Sequence, residues 1–129
     1  MAHFTMQDFA KRKDNDTERK EVSVMVDGVE YDFNISKITP TQIGKYNQVQ
    51  TKRGLAAYFA EVMLNHVFDI ETGELCFKKV DILSDTTCSS AEEFFEKKLP
   101  PGLLYGLARE INIFSDLKST QEEIDYLKN

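Results

Sequence analysis

Apolar and polar residues alternate in two short runs near the start of the chain, from Val22 to Val26 and from Val29 to Ile35. A period of two is typical of strands with one buried face. Asp27-Gly28 separates the runs, and this pair suits a two-residue type I′ turn, in which both residues have positive φ. The pattern predicts a β-hairpin whose apolar residues face one another on one side of the ribbon, pairing Val26 with Val29, Val24 with Tyr31 and Val22 with Phe33.

A helix start follows the hairpin. Thr39 is placed to cap, Pro40 suits the first helical position, and Gln42 is placed to bond back to the cap as the third residue of a capping box. Ile38 and Ile43 take the two positions of a hydrophobic staple. Arg53-Gly54 then supplies a basic last turn and a left-handed stop, so the helix is expected to end there.

The next segment, from Leu55 to about Val67, carries apolar residues at helical spacing with few polar interruptions. Such a helix is expected to be central and largely buried. After it, residues 68–77 suggest a short second hairpin around the turn-like stretch from Glu71 to Glu74. This middle part has the weakest pattern in the chain.

Three further helix starts organise the last third of the chain, two of them caps and one a proline. Ser90 with Glu93 predicts a capping box that opens a short helix, and Pro100-Pro101 must interrupt it. Pro101 is expected to begin a helix that ends near Leu117, with a buried stripe of Leu103, Leu104, Leu107, Ile111 and Phe114. Thr120 with Glu123 predicts a short tail helix or a frayed end.

The first twenty residues differ from the rest because residues 11–21 are almost wholly charged or polar. Such a run is typical of a solvated linker. The short apolar set before it, Phe4, Met6 and Phe9, suits one turn of an amphipathic helix, which is marginal unless another part of the protein holds it. We therefore expect a flexible charged arm over residues 1–20, one globular domain over 21–118 and a tail over 119–129. The expected fold class is α+β: a mainly helical domain with one N-terminal β-hairpin packed on four to five helices.

Composition restricts the classes of function. The chain has 129 residues, 41% of them hydrophobic, with 16 Lys plus Arg against 22 Asp plus Glu and a net charge of −6. One compact unit is expected at this length. The negative charge disfavours general nucleic-acid binding. The longest apolar stretch, Gly54 to Leu64, is far shorter than the roughly 20 residues of a membrane span, and the start lacks the pattern of a signal peptide. We expect a soluble, cytoplasmic protein with no membrane partner.

Candidate chemistry is sparse. Cys76 and Cys88 match neither a metal clip nor a redox pair and are expected to be two reduced thiols. His66 lacks a second His or Cys at ligand spacing, so we expect a packed, hydrogen-bonded core residue and no zinc site. Acid pairs fall at helix starts or turns, where the helix dipole accounts for them, and no glycine-rich phosphate loop occurs. We expect no enzymatic activity, no catalytic residue, no metal and no cofactor.

Two segments carry a resemblance to a known family. The first runs from Val26-Asp27-Gly28-Val29 through Ile35 into Ile38-Thr39-Pro40-Thr41-Gln42, and it resembles the opening of the tail assembly chaperones of long-tailed, siphovirus-type bacteriophages. The second, Leu99-Pro100-Pro101-Gly102-Leu103-Leu104 through Ile111 and Phe114, is similar to their closing helix. Together they cover about half of the chain, and neither is a chemical motif. Residues 68–89 and the charged stretch after Lys11 have no counterpart in the family.

The resemblance implies a non-enzymatic assembly factor of the host cytoplasm that is absent from the mature virion. Such a factor binds the tape measure protein, helps to recruit tail tube subunits, and covers the apolar surface of its long client. Self-association is a further possibility. Apolar residues in excess of one core indicate the partner-binding surface, for which we select five residues near the end of the chain: Tyr105, Leu117, Ile124, Tyr126 and Leu127.

Two alternatives stay open at this point. A structural head-tail connector or tail terminator component of the virion would share the size and acidity. An acidic regulator that binds a basic protein would use the −6 charge, although it would need its acids clustered on one face, and here they interleave with Lys and Arg.

Overall fold

The computed structural model describes residues 2–117, which form a mostly helical α+β fold with a small antiparallel sheet, as the sequence predicted. The sheet order is β1-β2-β3. In chain order the elements are α1 (Gln7–Ala10), β1 (Arg19–Val26), β2 (Val29–Ser36), α2 (Pro40–Arg53), α3 (Leu55–His66), β3 (Val67–Phe68), α4 (Lys79–Asp85), α5 (Ala91–Lys97) and α6 (Pro101–Phe114).

The hairpin has the predicted turn and register. Asp27 and Gly28 have φ of 52° and 80°, as a type I′ turn requires. The observed pairs include Val26 with Val29, Val24 with Tyr31 and Val22 with Phe33. Val22 and Val24 are buried, whereas Val29 and Tyr31 are half exposed at the tip of the hairpin. The predicted register, which places the apolar residues of both strands on one face, is therefore confirmed. The core covers that face only at the base of the hairpin, away from the turn.

A third strand, which the sequence pattern did not reveal, completes the sheet. Val67 and Phe68 of β3 pair with Ile35 and Asn34 of β2. The expected second hairpin is reduced to a single bridge between Phe68 and Leu75 around a tight turn. The chain returns to the sheet because the end of α3 lies beside β2, a tertiary contact that no local pattern encodes.

The start of α2 is the predicted capping box. The Gln42 backbone N–H donates to Thr39 Oγ1, and Gln42 Oε1 accepts from the Thr39 backbone N–H at 3.0 Å. Pro40 is the first helical residue, and the helix ends at Arg53 because Gly54 has φ of 94°. Helix α3 follows at once, and most of its side chains are buried, as expected for a central helix.

Helix α6 covers the sheet and packs on α3. It begins at Pro101 as predicted and ends at Phe114, three residues before the expected end. A Cβ at Gly106 would lie 2.9 Å from Val24 Cγ1, so only glycine permits this approach of α6 to β1. Lys20 Nζ lies 4.0 Å from Glu110 Oε2, so α6 runs antiparallel to β1. The stripe is buried as predicted, except that Phe114 is only partly buried at the edge of the core.

Two short helices fill the middle of the chain. Ser90 caps α5 as expected, because its side chain accepts from the Glu93 backbone N–H at 3.1 Å. The reciprocal half of that capping box differs from the prediction: Glu93 Oε2 accepts from the backbone N–H and the hydroxyl of Ser89. Helix α4 was not predicted, since its N-cap residue Lys78 makes no side-chain cap bond. The expected cap at Thr120 lies outside the described residues.

Candidate interaction site

An apolar cleft opens where the start of α3, the end of α5 and the start of α6 meet. Its volume is about 260 Å³. It is lined by Leu55, Ala56 and Phe59 of α3, Phe95 and Glu96 of α5, Leu99 from the connection, and Pro101, Leu104 and Tyr105 of α6. An open cavity of this kind between helices is a common binding site for an apolar group.

Two local signals in the sequence position these walls. Gly54 has φ of 94° and turns the chain sharply from α2 into α3, which places Leu55 and Ala56 at the cleft. Pro100-Pro101 ends the α5 segment and begins α6, because neither proline can donate a backbone hydrogen bond. The cleft lies between the turn at Gly54 and the connection at Pro100-Pro101.

Aromatic rings form one wall of the cleft. The Phe59 and Tyr105 rings pack edge to face, with centroids 5.5 Å apart. Glu96 is the one charged residue among those lining the cleft, its side chain is exposed, and it forms no ion pair within residues 2–117. The cleft therefore suits an apolar side chain that is followed by a positive charge.

The predicted partner residues are placed differently from one another. Tyr105 is half-buried and lines the cleft. Leu117 is half-buried against the core, and its backbone N–H donates to the Asn112 carbonyl at 2.8 Å. Ile124, Tyr126 and Leu127 lie outside the described residues. Within residues 2–117, Tyr105 lines the cleft and Leu117 does not. The remaining cleft residues were missed because they meet only in the folded chain.

Among residues 2–117, the most exposed large apolar side chains lie outside the cleft, and the two most exposed, Met6 and Phe4, are in the N-terminal segment. Phe4, Met6 and Phe9 are 72%, 73% and 50% exposed, and the rings of Phe4 and Phe9 stack at 5.3 Å. Val80 and Leu83 of α4 are also exposed. The signal for the N-terminal set was present in the sequence, as an apolar turn placed before a charged run.

His66 occupies the centre of a buried polar chain that joins three elements. Its Nδ1 lies 2.8 Å from Ser36 Oγ at the end of β2, and its Nε2 lies 2.9 Å from the Tyr46 hydroxyl on α2. All three side chains are buried. A Ser–His pair is a familiar nucleophile arrangement, but here both groups lie within the core. The prediction that His66 is a packed, hydrogen-bonded core residue is confirmed.

Burial determines the protonation states of the His66 and Tyr46 side chains in this hydrogen-bonded network. It lowers the pKa of His66 from 6.5 to about 4, and the positive charge of Arg19 adds to this effect. Burial also raises the pKa of Tyr46, and the negative charge of Glu61 contributes in the same direction. Both rings are therefore neutral near neutral pH. A neutral imidazole donates through one nitrogen and accepts through the other, and either hydroxyl can be its partner in each role.

Local contacts and burial shift the pKa values of three further groups. The backbone N–H groups of Thr72 and Glu71 donate to Asp69 and lower the pKa of that carboxyl. Ser89 does the same for Glu93. Burial raises the pKa of the Cys76 thiol to about 11, and the negative charge of Asp69 adds to this, so the thiol is protonated near neutral pH. Among residues 2–117, no three His, Cys, Asp or Glu side chains are grouped so as to bind a metal ion.

No helix in the described part of the chain is both long and apolar enough to span a bilayer. The sequence matches no protein-family profile. Neither the curated proteins nor the solved structures with which it was compared show significant similarity to it. The interpretation of the cleft therefore rests on its own geometry and chemistry.

Proposed function

We propose that this protein is a tail assembly chaperone of a long-tailed bacteriophage, which binds the tape measure protein and helps to recruit tail tube subunits in the host cytoplasm. The observation that carries the proposal is the apolar cleft lined by Tyr105, since a chaperone needs an open apolar site for a helical client. The resemblance of the sequence segments that contain the hairpin turn, the Thr39 capping box and the Pro101 helix start to the chaperone family is the second support for the proposal.

The size of the cleft defines the client. A cavity of roughly 150 Å³ accommodates a benzene ring, so about 260 Å³ admits one Leu or Phe side chain with space for part of a second. Burying one such side chain contributes about 1.5–3 kcal/mol. A single contact of this strength is weak and reversible, and a long client with repeated apolar helix faces would bind several copies together. Such binding protects the client and still permits its release.

Co-expression with the tape measure protein from the same genome tests the proposal. The chaperone is expected to keep the client in the supernatant and to co-purify with it. Ala56→Glu places a charge in the cleft and should reduce the amount of co-purified client several-fold. Gln48→Glu is the matched control, because Gln48 is exposed on α2, away from the cleft, and the change in charge is the same. Equal client recovery with both variants would remove the cleft from the proposal.

Mass spectrometry of purified virions provides an independent test. A chaperone is expected to be absent from virions, whereas a head-tail connector or tail terminator component would be present in fixed copy number. Detection of this chain in stoichiometric amounts would refute the chaperone proposal in favour of a structural role.

A further inference from the structure

Two complementary apolar features of the chain have no partner within residues 2–117. One is the cleft lined by Tyr105 and Glu96. The other is the exposed segment containing Phe4, Met6 and Phe9, which we call the aromatic arm. Large apolar side chains exposed to this degree in one contiguous segment mark an interaction surface.

The aromatic arm has the size and charge that the cleft requires. One ring of the stacked Phe4–Phe9 pair fits a space of about 260 Å³, with the other ring against its rim. Phe9 is followed by three cations, Lys11, Arg12 and Lys13, whereas the charged residue lining the cleft is Glu96. The Arg12 guanidinium lies over the Phe9 ring at 5.4 Å, so a cation accompanies the ring itself.

The arm and the cleft lie at opposite ends of α6. Arg12 and Asn15 border a shallow depression beside Pro40 and Phe114, at the end of that helix. The cleft is at its start, about 15 Å away along the helix axis. Glu18 is held to Lys37 by an ion pair at 2.7 Å, which fixes the base of the arm at the far end. The arm can enter the cleft of a second copy while its own base stays bound to Lys37 at the end of α6.

From this complementarity we infer that the protein self-associates by placing the Phe4–Phe9 pair of one copy in the Tyr105 cleft of a second copy. The contact is small, so monomers and dimers exchange readily. The inference concerns the isolated protein and does not depend on the chaperone proposal. The two can fail separately, because one is tested by the mass of the protein alone and the other by client recovery.

Analytical ultracentrifugation of the full chain tests the inference. The weight-average mass of the wild-type protein is expected to rise with concentration towards twice the monomer mass. Phe4→Ser with Phe9→Ser should keep the protein monomeric at concentrations where the wild type is mostly dimeric. Val80→Ser is the matched control, because Val80 is 69% exposed on α4 and far from both features in sequence, and it should associate as the wild type does. All of these positions are exposed, and circular dichroism checks that each variant folds.

A charge exchange shows which surfaces meet. Glu96→Lys alone, and Lys11→Glu with Lys13→Glu alone, should each weaken self-association at least threefold at low salt. A mixture of the two variants should regain the wild-type affinity, because each arm then finds a cleft of opposite charge on the other copy. The inference is overturned if the wild type stays monomeric at every concentration, as it would if the arm occupied its own cleft. It is equally overturned if the aromatic variant dimerises normally or the mixture shows no recovery.

Discussion

Acidification should remove a defined part of the stability of this protein through His66. The pKa of His66 is about 4 in the folded protein and 6.5 in the unfolded chain. Because the folded pKa is the lower one, the unfolded chain binds the proton first, and stability falls as the pH decreases from about 6.5 to about 4. The difference corresponds to about 3 kcal/mol in total, of which about 2 kcal/mol is lost between pH 7 and pH 5.

The physical origin of this loss is the buried chain of hydroxyls around the ring. A protonated imidazole donates from both nitrogens, so Ser36 Oγ and the Tyr46 hydroxyl must both accept and direct their own hydrogens elsewhere in the core. The charge also has to be buried beside Arg19. The pKa values of Glu18 and Glu93 are lowered from 4.5 and that of Asp69 from 3.8, so their contributions are lost as the pH falls below these values, at and beyond the acidic end of the range in which His66 titrates.

Urea unfolding at a series of pH values measures the effect. The wild type should show a slope approaching 1.4 kcal/mol per pH unit near pH 5. His66→Gln should be less stable at pH 7 and should lose this slope, because glutamine does not titrate. His3→Gln leaves His66 as the single histidine, so NMR titration of its ring gives the folded pKa directly. A folded pKa near 6.5, or an unchanged slope in His66→Gln, would refute the reasoning.

Three further predictions concern the stability of the fold. Gly106→Ala should destabilise the protein by about 1 kcal/mol in urea unfolding, because its Cβ meets β1, whereas Gly102→Ala meets nothing within 4 Å and should not destabilise it. Thr39→Ala should cost about 1 kcal/mol by removing the cap, and loss of less than 0.3 kcal/mol would contradict the capping role. Raising the pH from about 9 to about 11 should destabilise the wild type more than Cys76→Ser, measured by thermal unfolding, because burial disfavours the thiolate.

The elements that the sequence predicted well are those specified by neighbouring residues. The Asp27-Gly28 turn determines the hairpin register because two residues impose the positive φ values on which the pairing depends. The Thr39–Gln42 box and the Pro101 start are equally local. The predicted ends of elements were less accurate where tertiary packing sets them. Helix α6, for example, ends at Phe114, although the apolar pattern extends to Leu117.

The features that sequence reasoning missed depend on residues far apart in the chain. Strand β3 forms because Val67 meets Ile35 across the sheet, and two residues carry too little pattern to show this. The cleft exists only where three helices leave a gap, so Tyr105 could be named in advance but Ala56 and Leu99 could not. For His66 the burial was predictable from its apolar helix, whereas its two hydroxyl partners were not, since they come from separate elements.

The packing of α6 on the hairpin has a consequence for synthesis on the ribosome. Val22 and Val24 are among the first core residues to be made, yet the helix that covers them is completed only at Phe114. At about 5–20 residues per second, roughly ten seconds separate the two events. Helix α6 cannot cover the hairpin before it has been synthesised. A nascent chain halted before Pro101 should therefore expose Val22 and Val24 and be sensitive to proteases. Completion of the last described helix is thus the step that covers the valine face of the hairpin.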